Sequence, residues 1–389
     1  MRKNDERGRT LIYLDNAATT WPKPEAVYQA VDQCMRKKGA NPGRSGHHMA
    51  LMAGRIINET RGLIAQLFNI PEPSQVIFTS NATEALNLGI KGLLKPGDHV
   101  ITGTFEHNSV ARPLERMREQ GIEVTKLPVS LSQGILPAQV EEAVLSNTRL
   151  IILNHASNVT GVINPIREIG KIARDKGIVF MVDAAQSAGT LPIDVQAMEI
   201  DLLAFPGHKG LLGPQGTGGL YLRENLSLVP LEEGGTGGNS EFLTQPDLCP
   251  DRYESGTLNT PGIAGLGAGI NYIFQEGLEI IRRKERMLTE HLLMGLEEIP
   301  GVIIYGPPRG MERAPVVSFN ITGKEPADVS FLLDKMYDIA ARPGLHCAPD
   351  AHRTLGTFKH GTVRLSFGYF NTMEEVDQCL AAISAIAGE

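Results

Sequence analysis

The chain has 389 residues, of which 42% are apolar and 21% charged, ordinary proportions for a globular protein and too apolar for a disordered or collagen-like one. Lys and Arg total 37 against 44 Asp and Glu, a net charge of −7, so no basic field exists to hold nucleic acid or an anionic membrane non-specifically. Cys34, Cys249, Cys347 and Cys379 are far apart with no CxxC pair, which indicates neither a disulfide framework nor a zinc site, and the length allows two or three domains.

The first ten residues are charged, and no stretch approaches the roughly 18 uninterrupted apolar residues of a spanning helix, so a soluble cytoplasmic protein is expected. In chain order, a short strand at Leu11 to Asp15 precedes a helix after Pro24 and another from Met49 to Phe68, where apolar residues recur at three and four. His47 and His48 precede that helix and receive no role. Then the pattern alternates. Strand-like apolar runs at 75–80, 99–103, 122–129, 150–155 and 179–185 are separated by helical segments at 81–94, 108–120, 137–146 and 165–176. Strands buried on both faces and joined by helices predict a mostly parallel sheet of a seven-stranded type, with ligands at the carboxyl ends of its strands. After Tyr221 a glycine-rich stretch (232–257) leads into one long helix expected over 261–298. Strands at 302–305, 315–321 and 361–368, a helix at 326–337 and a closing helix from Thr372 follow. The expected fold class is α/β: a large domain over residues 16–260, and a smaller α+β domain from residues 1–15 and 261–389. The glycines of EEGGTGGNS and GPQGTGG match neither phosphate-binding fingerprint and read as flexible loops near the active site.

Several strand ends carry reactive side chains. VFMVD delivers Asp183 at the exit of an apolar strand, where a carboxylate is costly unless a cation or hydrogen bond meets it. LLAFP runs into GHKG and delivers Lys209 on a glycine-flanked turn. An amine and an acid facing one crevice suit a pyridoxal phosphate enzyme, the lysine forming the imine and the acid keeping the pyridine nitrogen protonated. Taken singly, Asp183 could cap a turn and Lys209 could be solvated. At SNATE, the N–H groups of Ala82 and Thr83 and the Thr83 hydroxyl open a helix and could grip an anion, although Ser80 or Asn81 could equally be a plain cap. His208 could add a donor. His107, in EHNS, could stack on a heteroaromatic ring and shuttle a proton, or simply hydrogen-bond within its loop. Gln186 and Asn158 lie at further strand ends, Asn158 being a neutral donor suited to a phenolic oxygen or to a substrate carboxylate, and Asn158 before VTG also fits a turn.

LDNAATT, SNATEALN, EHNS, SNVTG, VDAAQSAG, GHKGLLGPQGTGGL and RYESGT, in this order and spacing, resemble the cysteine desulfurases, the class V branch of fold-type I pyridoxal phosphate enzymes. The likeness runs from about Tyr13 to Phe370. It implies pyridoxal 5'-phosphate held through Lys209, with Asp183 on the pyridine nitrogen, His107 stacked on the ring, and Gln186 and Asn158 on the ring hydroxyl. It further implies a phosphate cup of Ala82, Thr83 and His208, and a homodimer in which Thr257 reaches the neighbouring subunit's phosphate. One position departs from the pattern: Pro206 stands where relatives commonly carry Ser or Thr, and it donates through neither side chain nor backbone nitrogen.

Cys347 selects among the reactions this cofactor supports. It sits in ARPGLHCAPDAHRTLGT beside His346, with Arg342 upstream, and a thiolate is the nucleophile needed to take sulfur from a cofactor-bound substrate thiol. The products are alanine and a Cys347 persulfide. Cys34 and Cys379 fit buried apolar positions on helices. The loop resembles R-x-G-x-H-C-A of SUF-type desulfurases, and Arg364 in GTVRLSFG matches the family's arginine for the substrate α-carboxylate. The spacing of Cys347, His346, His352 and His360 fits no tetrahedral metal site. The expected substrate is L-cysteine, with L-selenocysteine as an alternative in a selenocysteine lyase, and an aminotransferase or β-lyase ignoring Cys347 as a further one. The expected partner is a sulfur-acceptor or scaffold protein, as in iron–sulfur cluster assembly, tRNA thiolation, or molybdenum-cofactor and selenium pathways.

Overall fold

The computed structural model describes residues 11–42, 46–237 and 243–388, so residues 1–10 and part of the glycine-rich stretch lie outside it. After β1 (Ile12–Tyr13), the strands β2 (Val76–Thr79), β3 (His99–Gly103), β4 (Glu123–Leu127), β5 (Thr148–Asn154), β6 (Val179–Asp183), β7 (Leu202–Pro206) and β8 (Gly218–Leu222) follow in chain order. β2 to β8 form a seven-stranded sheet in the order β2-β8-β7-β6-β5-β3-β4, six strands pointing one way and β8 the other. The α/β class with a mostly parallel sheet is as the apolar runs predict.

The physical reason lies in the two-residue period of a strand. Ile151, Leu153, Phe180, Val182, Leu203 and Phe205 enter the core on one face, while their neighbours Leu150, Ile152, Val179, Met181, Leu202 and Ala204 enter the core on the other. Each of the larger side chains contributes about 1.5–3 kcal/mol relative to exposure, so the middle of each strand is apolar on both faces. The helices that cover the faces bury one stripe each. Ile166–Lys176 turns Ile166, Ile169, Gly170 and Ala173 inward and stops at Gly177, whose φ of 68° a β-carbon would disfavour.

The remaining chain builds a second, four-stranded antiparallel sheet from β9 (Val302–Tyr305), β10 (Val316–Ile321), β12 (Arg342–Gly344) and β13 (Thr362–Ser366), in the order β12-β13-β10-β9. The N-terminal β1 pairs in parallel with β11 (Ile339–Ala340), and Ser366 of β13 donates its N–H to Leu14 O at 2.7 Å. The chain start is thereby stitched to its last third.

Two sequence expectations need correction. The single helix expected over 261–298 is two, Thr260–Glu276 and Leu278–Glu297, because Gly277 adopts φ +87° and breaks the hydrogen-bond ladder. GPQGTGG is not wholly a flexible loop: its last two glycines open β8, with no exposed residue in that strand. A β-carbon at Gly218 would press on the Asn81 backbone, and one at Gly219 on Ile77 O and the Phe205 ring, so only glycine lets β8 slot between β2 and β7.

Candidate active site

The parallel strands of the large sheet converge their carboxyl ends on a cavity of about 220 Å³. Asp183 comes from the end of β6, Lys209 from the turn after β7, His107 from the turn after β3, and Asn158 from the turn after β5. Ala82, Thr83, Gln186, His208 and Arg364 line the same cavity, as does Pro206. Nine of the predicted residues therefore share one space. Thr257 does not: it lines a separate hollow with Phe78, Ser80 and Glu84. Cys347 is not among the lining residues either, but Arg342, which is, reaches it.

Asp183 is 3% exposed and its Oδ1 accepts the Ala185 N–H at 2.9 Å. No ion pair to it forms among the described residues. Burial pushes its carboxyl up, opposed by that N–H and by the charge of Lys209. Lys209 is drawn from 10.5 down to about 8, chiefly by burial, against the pull of Asp183. A buried acid without a cation and a buried amine brought near neutrality are suited to a guest that supplies a basic ring nitrogen to one and an electrophilic carbon to the other.

Other groups lining the cavity suit an anion. Asn81 caps the helix Ala82–Leu93 by accepting the Glu84 N–H at 3.0 Å, and Glu84 returns to the Ser80 N–H at 2.8 Å. This leaves the first-turn N–H groups of Ala82 and Thr83 without intrahelical partners at the positive end of the dipole. His208 Nδ1 is buried with no partner. The backbone bearing His208 and Lys209 is clamped from the chain start. His208 O accepts from Lys23 Nζ at 2.6 Å, Thr20 N at 3.1 Å and Thr19 Oγ1 at 3.2 Å, and Lys209 O accepts from Thr20 Oγ1 at 2.6 Å. Gln186 spends its amide on Ala17 O at 3.1 Å.

His107 caps the helix Asn108–Arg118, its Nδ1 accepting the Ser109 N–H at 3.1 Å, which places its own N–H on Nε2. Ser109 Oγ lies 2.8 Å from that Nδ1 and 2.7 Å from Thr83 Oγ1, so a serine passed over in the sequence joins the ring to the anion end. Burial, then the charges of Lys209, Arg342 and Arg364, draw His107 down to about 4. It is neutral near pH 7.

Arg364 is 1% exposed. Its Nη2 pairs with Asp15 Oδ1 at 2.7 Å and its Nη1 donates to Asn158 O at 3.0 Å, while Nε is buried without a partner. Asp15 was also passed over, being far from Arg364 in the chain. Arg342 and Arg364 face each other across β12 and β13, a like-charge pair that normally destabilises a sheet and here concentrates positive charge beside the cavity. Arg342 Nη2 stands 3.7 Å from Cys347 Sγ, a guanidinium directly beside the thiol. Cys347 O accepts the Asn108 N–H at 2.7 Å, and Asn158 Nδ2 donates to His346 O at 2.7 Å. His346 and Cys347 adopt φ of +48° and +58°, which costs about 1 kcal/mol or more at each non-glycine residue. Cys34 and Cys379 are buried in helices, as their patterns suggest. His47 is a helix cap, accepting the Ala50 N–H at 3.3 Å.

An α/β sheet with a buried amine and acid at its strand ends defines an enzyme of the aminotransferase kind, and residues 12–379 match the family described as aminotransferase class-V. A probable cysteine desulfurase from Methanothermobacter thermautotrophicus is 38% identical over 388 residues, spanning 98% of this chain and 96% of the relative. Among solved structures, the apo cysteine desulfurase from Thermococcus onnurineus superposes with a TM-score of 0.91 at 36% identity, covering 100% of this chain and 97% of that one. The cysteine desulfurase CsdA from Escherichia coli, in its S-sulfonic acid form, gives 0.87 at 31% identity over 96% and 94%. The chain belongs to the class-V aminotransferase family, in its cysteine desulfurase branch.

Proposed function

We propose that this protein is a pyridoxal phosphate-dependent L-cysteine desulfurase, taking sulfur from cysteine to leave alanine and a persulfide on Cys347 for an acceptor. The observation that carries this reading is Cys347 Sγ lying against Arg342, a residue of the cavity that also holds Lys209, Asp183 and Arg364. A thiol so placed has no use in simple transamination.

The donors present fit the cofactor. Lys209 would hold it covalently, Asp183 would keep its ring nitrogen protonated, and His107 would lie on the ring. Gln186 and Asn158 would address its hydroxyl, with Ala82, Thr83 and the unpartnered His208 at its phosphate. Bound there, pyridoxal phosphate supplies an electron sink for the bonds of the substrate's α-carbon. Arg364, with a free Nε, receives the α-carboxylate, and neutral His107 can pass a proton through Nε2. The Cys347 thiolate attacks the substrate sulfur. The S–S bond forms, the C–S bond breaks with its pair left on carbon, and a proton completes alanine. Pro206 provides no donor at the phosphate.

We further infer that residues 16–260 form the cofactor domain and residues 1–15 with 261–389 the smaller one. Thr257, which lines a separate hollow in its own chain, serves the site of a second copy in a homodimer. The protein acts in the cytoplasm on a sulfur-acceptor or scaffold protein, iron–sulfur cluster assembly being the proposed destination. The test is turnover of L-cysteine with intact mass of the enzyme: alanine should appear, Cys347 should gain one sulfur that a reductant removes, and Cys347→Ala should abolish that gain. Sulfide release at full rate by the Ala variant would refute the role of the thiol.

A further inference from the structure

His352 takes no part in the chemistry described so far, yet 0% of its surface is exposed. It lies on the short helix Pro349–Thr354, just after Cys347. Its Nδ1 is 2.8 Å from Thr357 Oγ1, and its Nε2 is buried without a hydrogen-bond partner. The ring packs on that of His346, centroids 5.6 Å apart and planes tilted by 45°. His346 repeats the pattern: Nε2 lies 3.1 Å from Thr362 Oγ1, and Nδ1 is buried and unpartnered. Neither ring is poised as a base, because burial draws His346 down to about 2 and His352 to about 4.

What the pair does support is a strained turn. Consecutive left-handed residues at His346 and Cys347 persist only where their surroundings over-determine them. Three contacts act on the backbone: Asn158 Nδ2 on His346 O at 2.7 Å, the Asn108 N–H on Cys347 O at 2.7 Å, and the Ala348 N–H on Leu345 O at 2.9 Å. The fourth fixes a side chain, the His346 ring being held by the Thr362 hydroxyl and the His352 ring. With the turn in this shape Cys347 Sγ sits 3.7 Å from Arg342 Nη2.

We propose that His352 is a positioning residue for sulfur transfer, buttressing His346 so that the Leu345–Cys347 turn keeps Cys347 Sγ against Arg342. The inference rests on Cys347 being the sulfur acceptor. A neutral imidazole offers one N–H and one acceptor nitrogen. Gln can reproduce both but has no ring to pack on His346, whereas Phe offers neither and keeps the ring.

The experiment compares holoenzyme carrying wild-type His352, His352→Phe and His352→Gln. It measures alkylation of Cys347 by iodoacetamide at neutral pH, with peptide mapping to separate it from the other cysteines. The Gln variant should alkylate Cys347 about fivefold more slowly or worse as Sγ leaves its place beside the Arg342 guanidinium. The Phe variant should stay within about twofold of wild type, and the visible cofactor spectrum should be the same in all three. A Gln variant at the wild-type rate overturns the proposal, as does a Phe variant as slow as Gln. If the Gln protein does not fold, His352→Leu, which fills the space without a ring, should slow alkylation in the same direction, and an unchanged rate there overturns it. Alkylation needs no turnover, so wild-type protein that forms no alanine would sink the desulfurase reading while leaving this comparison intact.

Discussion

Replacing Lys209 with Met in cofactor-free protein should raise stability at pH 7, even though it removes the amine on which the proposed chemistry depends. Lys209 exposes only part of its surface, towards the cavity, and burial lowers its amine from 10.5 to about 8. That drop corresponds to about 3 kcal/mol carried by the folded state wherever the amine is charged both folded and unfolded, which is below pH 8; water in the cavity reduces the figure somewhat. Between about pH 8 and 10.5 the unfolded chain keeps the proton and the folded one releases it. The folded state then binds fewer protons, and wild-type stability climbs with pH. Met abolishes the climb. Its advantage should therefore be about 2–3 kcal/mol at pH 7 and shrink towards pH 10.5. Loss of the ammonium also deprives Asp183 of a favourable charge, so adding Asp183→Asn should enlarge the gain. Urea unfolding of the four proteins of this cycle across the pH range measures both effects. A Met variant less stable at pH 7, or a gap that stays constant to pH 10.5, would refute the reasoning.

Three further outcomes are expected. Arg364→Lys loses the fork that reaches Asp15 and Asn158 O together, and KM for L-cysteine should rise about tenfold or more in steady-state assays while thermal stability falls modestly. Glu254→Gln leaves Arg61 buried and uncompensated, since Glu254 takes both Arg61 nitrogens at 2.8 and 2.9 Å and the Phe78 N–H at 2.6 Å; denaturant unfolding should show a loss of about 3–5 kcal/mol. Gly189→Ala forces a β-carbon into the Gly210 carbonyl at φ +81°, beside the Lys209 turn, and should cost about 2 kcal/mol or more by the same measurement, with weaker cofactor retention on dialysis.

Much of the architecture was legible because it is written in short-range periodicity. Runs such as LIILN and VFMVD have no polar face, which only a strand covered on both sides tolerates, and the residues ending them, Asn154 and Asp183, are thereby delivered to the cavity mouth. β8 was missed because its two glycines carry no periodicity, their use being to admit neighbouring backbone. The break at Gly277 was missed because the apolar stripe resumes on the next helix. Ser109, Asp15 and Lys23 drew no role from the sequence, and His352 was weighed there only as a metal ligand.

Residue types and local spacing on their own were enough for most of the element order, for strands covered on both faces and for the placing of Lys209, Asp183 and His107 at strand ends, since each is written in the apolar pattern of its own segment. Folding alone decided that Asp15 would hold Arg364, that Lys23 would brace the carbonyl before Lys209, and that a left-handed turn would set Cys347 against Arg342. Pairs of this kind join segments hundreds of residues apart or depend on backbone shape. Hydrophobic periodicity reports which face of an element is buried and carries no information about which distant polar atom it will meet.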